Sequence, residues 1–422
     1  MGKKFSFVII FFACGIAAQA QLERAFSLQE FYPFRKNISL SADYYYGSTA
    51  ITNKFFNYYY LGKFIDTELK NDVSSRLNDK NNRLGAETNA SLMYTYKIKE
   101  DSTAKNIYFI GIGTRHFAET NFSRDLFELY FRGNKRFEGE SADFNDFRFR
   151  FMEYHKITWG KLMVSSVDSS KFSFGYSASA LLGQRYNDIR LNGSIYTAPH
   201  GEYLDVMANG NMHATDSAHT SIGSINGYGA SVDFYFHYPL SKSASLQLLV
   251  SDLGFINWND KTSSIAVDTS YHFEGVAVND LFDFTDTVLG SSSLTDSAQA
   301  NAFLTRHKKE KYSTILPVKA SLELSYIYNE KISFTLTDEM MTGNFFRNFV
   351  MLGVGWKTSG KTILSASISY GGYDGFNAGA AGSFLIGKDF SLMVGSYSLA
   401  GLLFPAYFTS QGAFVSLKKY LN

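Results

Sequence analysis

The chain has 422 residues, 40 Lys plus Arg against 39 Asp plus Glu, a formal charge of +1 and a single cysteine. Near neutrality removes any global attraction to nucleic acid, and one cysteine excludes a disulfide framework or a cysteine-ligated metal. The 39 Phe, 28 Tyr and 34 Gly beside only 5 Pro favour strands and the interfacial belts of a membrane barrel.

Met1-Gly2-Lys3-Lys4 leads into an apolar stretch from Phe5 to Ile16, and Ala18-Gln19-Ala20 precedes Gln21. A charged start, a short apolar core and a small-x-small end predict a cleaved secretory signal peptide over 1–20. Its removal takes away Cys14, Lys3 and Lys4, so the mature chain is cysteine-free and its formal charge becomes −1. Residues 21–36 then form a periplasmic segment long enough to tuck into a lumen as a partial plug, and 37–422 form the barrel. After Gln21 there is no run of about 18 apolar residues, so a membrane-spanning structure has to be a closed β-barrel.

Strict alternation begins at once: Ile38, Leu40, Ala42, Tyr44 and Tyr46 alternate with Asn37, Ser39, Ser41 and Asp43. The same period recurs at Ala90 to Tyr96, Val232 to Tyr238, Val318 to Tyr328 and Leu364 to Tyr370. We predict strands at 37–47, 85–98, 106–118, 148–160, 171–183, 224–237, 243–256, 317–328, 331–341, 347–357, 361–370, 376–387, 390–398 and 411–419. Long connections (48–84, 119–147, 184–223 and 257–316) alternate with tight ones such as 238–242, 329–330 and 388–389.

A soluble sandwich also alternates, but a long-short rhythm with an even strand count belongs to outer-membrane barrels. The expected fold is therefore all-β: a transmembrane antiparallel β-barrel of about 14 strands, range 12 to 16 depending on whether a hairpin near 187–208 joins the wall. Tyrosines closing the apolar faces, Tyr44, Tyr46, Tyr94, Tyr96, Tyr326, Tyr328 and Tyr370, suit an aromatic girdle. The amphipathic C-terminal stretch carries its last aromatic residue at Tyr420, two residues before the end.

Two external segments stand out. Phe55, Phe56, Tyr58, Tyr59, Tyr60, Leu61 and Phe64 crowd the first long loop, where exposure of so much apolar surface is unfavourable, so this segment packs against other loops or binds a ligand or partner. Phe122, Leu126, Leu129 and Tyr130 fall near helical spacing within 122–133, which predicts a short helix capping the mouth. Together Phe55, Phe56, Tyr58, Tyr59, Tyr60, Phe64, Leu126, Leu129 and Tyr130 are the candidate binding residues. The polar stretch 285–311 reads as a solvated loop or short helix.

The Ala18-Gln19-Ala20-Gln21 leader ending, the run Asp125-Leu126-Phe127-Glu128-Leu129-Tyr130-Phe131-Arg132 into Gly133-Asn134-Lys135-Arg136-Phe137-Glu138-Gly139, and Glu153-Tyr154-His155 carry a resemblance. The chain resembles a Bacteroidota family of outer-membrane barrels of unknown function, distantly similar to FadL and PorV barrels. That resemblance implies either carriage of a small apolar molecule, as in FadL, or docking of protein partners through external loops, as in PorV. No Asn-Pro-Ala stands near the mature N-terminus, so a FadL-type hatch is not implied.

There is no His-Glu-x-x-His, Gly-x-Ser-x-Gly, phosphate loop or EF-hand loop, and the eight histidines are scattered singly. We expect no enzyme, no cofactor and no metal. A hydrolase with a rim site assembled from several strands is the remaining catalytic alternative. Glycine pairs Gly111/Gly113, Gly227/Gly229 and Gly353/Gly355 sit in strands and suit bends or close aromatic packing, one consequence of which would be a lateral opening. Asp43, Glu87, Lys97, Asp233, Lys319 and Glu323 fall on inner faces, where they either line a water path or pair into a plug. Expected partners are outer-membrane lipid, a hydrophobic small molecule and a protein at the external loops, with no nucleic acid.

Overall fold

The alternation of the sequence resolves into an inside and an outside once the strands pair. The computed structural model describes residues 36–98, 104–165, 172–215, 223–274, 306–343 and 345–421. The leader, the segment before Lys36 and the polar stretch up to 305 lie outside the described residues.

The first half of the chain forms β1 (Lys36–Ser48), α1 (Asn53–Tyr60), α2 (Thr67–Arg76), β2 (Asn82–Ile98), β3 (Ala104–Phe122), α3 (Arg124–Arg132), β4 (Ser141–Asp143), β5 (Phe147–Ser165) and β6 (Ser173–Thr197). Next come β7 (Tyr203–Ala214), β8 (Gly227–Pro239), β9 (Ala244–Trp258), β10 (Ser263–Glu274), β11 (Arg306–Lys309) and β12 (Tyr312–Ile315). The remainder is β13 (Lys319–Ile327), β14 (Ile332–Met341), β15 (Arg347–Ser359), β16 (Thr362–Gly372), β17 (Phe376–Ile386), β18 (Phe390–Ser396), α4 (Leu399–Leu403) and β19 (Ser410–Leu421).

Fourteen strands form an antiparallel wall in the order β1, β2, β3, β5, β6, β8, β9 and β13 to β19, and β19 pairs back onto β1 to close it. Each of these strands overlaps one read from the sequence. Closure leaves the wall without a free edge, so its N–H and C=O groups pair between neighbouring strands.

Register sorts the side chains. Leu417, Leu40, Leu92, Ile112, Ile157, Ala180, Ala230 and Phe255 are successive cross-strand partners on one face. Leu40 is 46%, Ile112 57% and Phe255 46% exposed. Ser416, Ser41 and Ser91, one residue along, are buried. Apolar groups therefore cover the outside and polar groups fill the inside, the inverse of a soluble domain and the arrangement that lipid demands.

Five strands lie outside the wall. Beyond Asn187 the 25-residue β6 pairs with β7, β7 pairs with β10, β10 with β11, and β12 with the end of β9. Segments read as the loops 184–223 and 257–316 thus partly extend the sheet past the wall without adding to its strand count. The cause lies in a β-bulge, where Glu153 faces Arg185 but Tyr154 faces Gly183. Ser177 faces inward before it and Asp188 faces inward after it, so the period of two changes phase and the alternation breaks at Gly183.

The three longer helices stand on the loop end, outside the wall. Each begins at a capping side chain: Thr52 accepts from the Phe55 N–H, Asp66 from Leu69 and Ser123 from Leu126. Phe55, Leu69, Val73, Leu77 and Phe127 form a core with Phe122, against which Leu84 and Phe147 pack. Leu84, Phe122 and Phe147 share the outward face of β2, β3 and β5 with Leu92, Ile112 and Ile157. The helix expected over 122–133 forms, but it leans on the outer face of the rim and does not cross the mouth.

Candidate functional site

Inside the wall, charged side chains pair across the lumen. A β-bulge in β9 puts Asp252 in the left-handed region, φ 60, where its N–H donates to Asp233 at 2.7 Å. Asp252 is thereby turned inward to accept from Arg115 and, at 2.8 Å, from Lys156. Arg115 also donates to Glu87 at 3.3 Å, Lys319 lies 3.8 Å from Glu87 and 2.9 Å from Glu339, and Lys156 lies 3.5 Å from Asp233. Ser177 donates to Asp233 at 2.7 Å.

This layer joins β14, β13, β2, β3, β9, β5, β8 and β6, so it spans the barrel from one wall to the other. Glu87, Asp233 and Lys319, three of the inner-face charges read from the sequence, belong to it; Asp43 instead accepts from Asn89 and Glu323 from Gln247. Arg115, Lys156, Asp252 and Glu339 were not legible as members. The layer has the character of a plug: buried charges are tolerated because each is paired.

Apolar side chains lie on either side of that layer. Toward the chain termini, Met93, Ile107, Phe109, Leu162, Tyr235 and Leu249 form a buried cluster. Phe109 fits because Gly160 has no side chain; a Cβ there would stand 2.0 Å from the ring. Toward the loop end, Phe117, Met341 and Tyr373 cluster with Tyr45, Phe345 and Phe346.

Over the mouth lie Phe345 and Phe346 on one side and Tyr373 and Asp374 on the other. Glu119 holds both: it accepts from Arg150 at 2.7 Å, the Phe345 N–H at 2.9 Å and the Tyr373 hydroxyl at 3.3 Å. Phe346 meets the Tyr373 ring edge-on at 5.3 Å, and Tyr45 donates to Asp374 at 2.7 Å. Burial pushes the Asp374 carboxyl above the usual carboxylate range, against hydrogen bonds from Ser410, Tyr45 and Asn377. Burial likewise drives the Tyr373 hydroxyl well above its ordinary value, reinforced by Glu119.

Tyr373 lies flat over Gly85, where a Cβ would stand 2.2 Å from its ring. Gly85→Ala is therefore expected to expel the ring and break its contact with Glu119, at a cost of about 1–3 kcal/mol. Chemical unfolding followed by the gel mobility of the folded barrel measures this. An unchanged midpoint, with Tyr373 still protected from iodination, contradicts the packing.

The candidates from the first loop and α3 are divided among different surroundings. Phe55 is buried in the rim core, Phe56 stacks at 3.9 Å on Tyr46, and Leu129 is buried with Phe137, Ile195 and Leu204. Leu126 touches both rim clusters. The Tyr59 and Tyr130 hydroxyls meet at 2.6 Å in solvent. Tyr58 and Tyr60 line a surface cavity, and Phe64 is 85% exposed.

None of the nine lies in the mouth. The signal for the mouth was the consecutive pair Phe345-Phe346 in a connection of five residues, where nothing but inward packing shelters two phenyl rings. The Gly133 motif is structural: Glu128 forms ion pairs with Arg132 and Arg136, each at 2.8 Å, after which Gly133 (φ 78) turns the chain and Phe137 is buried. Among the described residues no group of three or more metal-ligating side chains occurs.

No curated protein is significantly similar to this sequence. Solved structures similar to the chain include the Pseudomonas putida toluene transporter TodX, at 10% identity and a TM-score of 0.45 over 96% of this chain and 95% of that one. They also include the Ralstonia pickettii toluene transporter TbuX, at 9% and 0.44 over 93% and 91%. A Pseudomonas aeruginosa FadL homologue is similar at 10% and 0.43 over 92% and 90%. The model of a family of unknown function, DUF5723, matches residues 30–396, and the chain belongs to that family.

Proposed function

We propose that the chain is a non-enzymatic outer-membrane barrel that binds or passes a small apolar molecule received at its loop-end mouth. The observation carrying this reading is the aromatic cluster of Phe117, Phe345, Phe346, Tyr373 and Tyr45 seated directly over a paired, buried ionic layer. A general diffusion pore keeps a polar, water-filled lumen. Here the mouth offers apolar surface and the layer beneath it denies water a continuous path, which favours an apolar ligand over a hydrated solute.

Binding of a neutral apolar fluorophore, N-phenylnaphthylamine, to the purified full chain tests the reading. Phe345→Ala with Phe346→Ala is expected to weaken binding by about tenfold or more, since each ring contributes about 1.5–3 kcal/mol of apolar burial. Equal affinity in that variant, with the barrel still folded, would remove the mouth as the binding site.

A further inference from the structure

We propose that the outer face of α1 is a binding site for a phosphate-bearing membrane lipid. The inference rests on the membrane-spanning reading of the wall and is independent of the cargo at the mouth.

Position comes first. Tyr44 and Tyr46 continue the outward face of β1 that carries Leu40; the four steps from Leu40 to Tyr44 cover about 13 Å along the strand. On this face Phe56 of α1 stacks on Tyr46, Asn57 bonds Gln411 of β19 at 2.8 Å, and Gln411 donates to the Tyr44 hydroxyl at 2.9 Å. The helix is thus fixed against the outside of the wall, just beyond the apolar belt, at the level where headgroups meet a barrel.

What this helix presents is the second observation. Beside it is a cavity of about 400 Å³, lined by Lys54, Tyr58, Tyr60, Leu61, Lys63 and Pro405. Lys54 and Lys63 stand 5.8 and 5.3 Å from the Tyr58 ring. Among the described residues neither ammonium has a carboxylate partner. The Lys54 N–H donates to the Pro405 carbonyl at 2.8 Å, tying α1 to the connection that follows α4.

Next in the chain to the lining residues Lys63 and Pro405, Phe64, Leu403 and Phe404 are exposed at 85%, 63% and 56%. In water these would form an unfavourable apolar patch. At the membrane interface they insert among acyl chains while two lysines on an aromatic floor meet a phosphate. Two cations and no anion make the surface complementary to an anionic headgroup. The apolar rim makes it complementary to a lipid and not to a free ion.

Native mass spectrometry of the full chain released from bicelles of equimolar phosphatidylglycerol and phosphatidylcholine tests the proposal. Retention of phosphatidylglycerol over phosphatidylcholine is expected. Lys54→Gln with Lys63→Gln should erase that preference, by roughly fivefold per lysine. Lys54→Arg with Lys63→Arg should keep it, and Leu403→Ser with Phe404→Ser should lower retention of both lipids alike.

Equal retention of the two lipids by the wild-type chain would overturn the proposal. So would displacement of phosphatidylglycerol by millimolar inorganic phosphate, which would mark a soluble-anion site. Heat-dependent gel migration reports barrel insertion in every variant, so failure of the membrane reading shows there as loss of the shift. Failure of the lipid site alone leaves the shift intact.

Discussion

Asp252→Ala is expected to cost about 3–5 kcal/mol of barrel stability, the range for removing one partner from a buried ion pair. Arg115 and Lys156 both donate to this carboxylate, and after truncation Glu87 is left as the carboxylate paired with Arg115 and Asp233 as the one paired with Lys156. Unfolding in urea with the heat-dependent gel shift as readout measures the loss. The same variant removes the bridge from β3 to β9, so planar-bilayer recording should show ion steps that the wild-type barrel lacks. Asp252→Asn keeps a hydrogen-bond acceptor without the charge and should fall between the two. A variant of wild-type stability with no conductance would show that the layer neither holds the barrel together nor seals it.

The second large effect is expected at Glu119. Glu119→Ala releases three groups at once, the Arg150 guanidinium, the Phe345 N–H and the Tyr373 hydroxyl. About 3–5 kcal/mol should be lost through the orphaned arginine, and Phe345 and Phe346 should detach from the mouth. Hydrogen exchange reads the second consequence locally: the Phe345 amide, protected in the wild type by its bond to Glu119, should exchange at the rate of an open loop. Glu119→Gln retains an acceptor for the amide and should preserve most of that protection. Unchanged exchange at Phe345 in the alanine variant would mean that another group holds the connection.

The wall was legible in the sequence because lipid enforces a simple rule. Residues such as Leu40, Ile112 and Leu352 face hydrocarbon and those between them do not, so the period of two survives along each strand. Turn lengths supplied the pairing, since tight connections join adjacent antiparallel strands. Where a bulge changes the phase, at Arg185 and again at Asp252, the pattern lost its meaning; the continuation of β6 past Gly183 was missed for the first reason and the inward turn of Asp252 for the second.

Helix formation near Leu126 and Leu129 was legible from spacing, but the surface these residues bury was not. An apolar stripe shows that a helix packs and does not say against what, and here the outward rim of β3 and β5 takes the place expected of the mouth. The ionic layer is harder still to read. Its members come from eight strands, and only closure of the barrel brings Glu87 to Lys319 or Arg115 to Asp252.

The central claim is that lipid lies outside this wall and a filled polar interior lies within it. Spin labels at Leu40→Cys, Ile112→Cys and Leu352→Cys, compared with Ser41→Cys and Ser91→Cys in reconstituted bilayers, test it most directly. The sequence after residue 20 has no cysteine of its own to interfere. Collision with oxygen and not with a water-soluble nickel chelate is expected at the three apolar positions, and little collision with either at the two serines. Nickel-dominated collision at Leu40, Ile112 and Leu352 would contradict it, because those side chains would then face water.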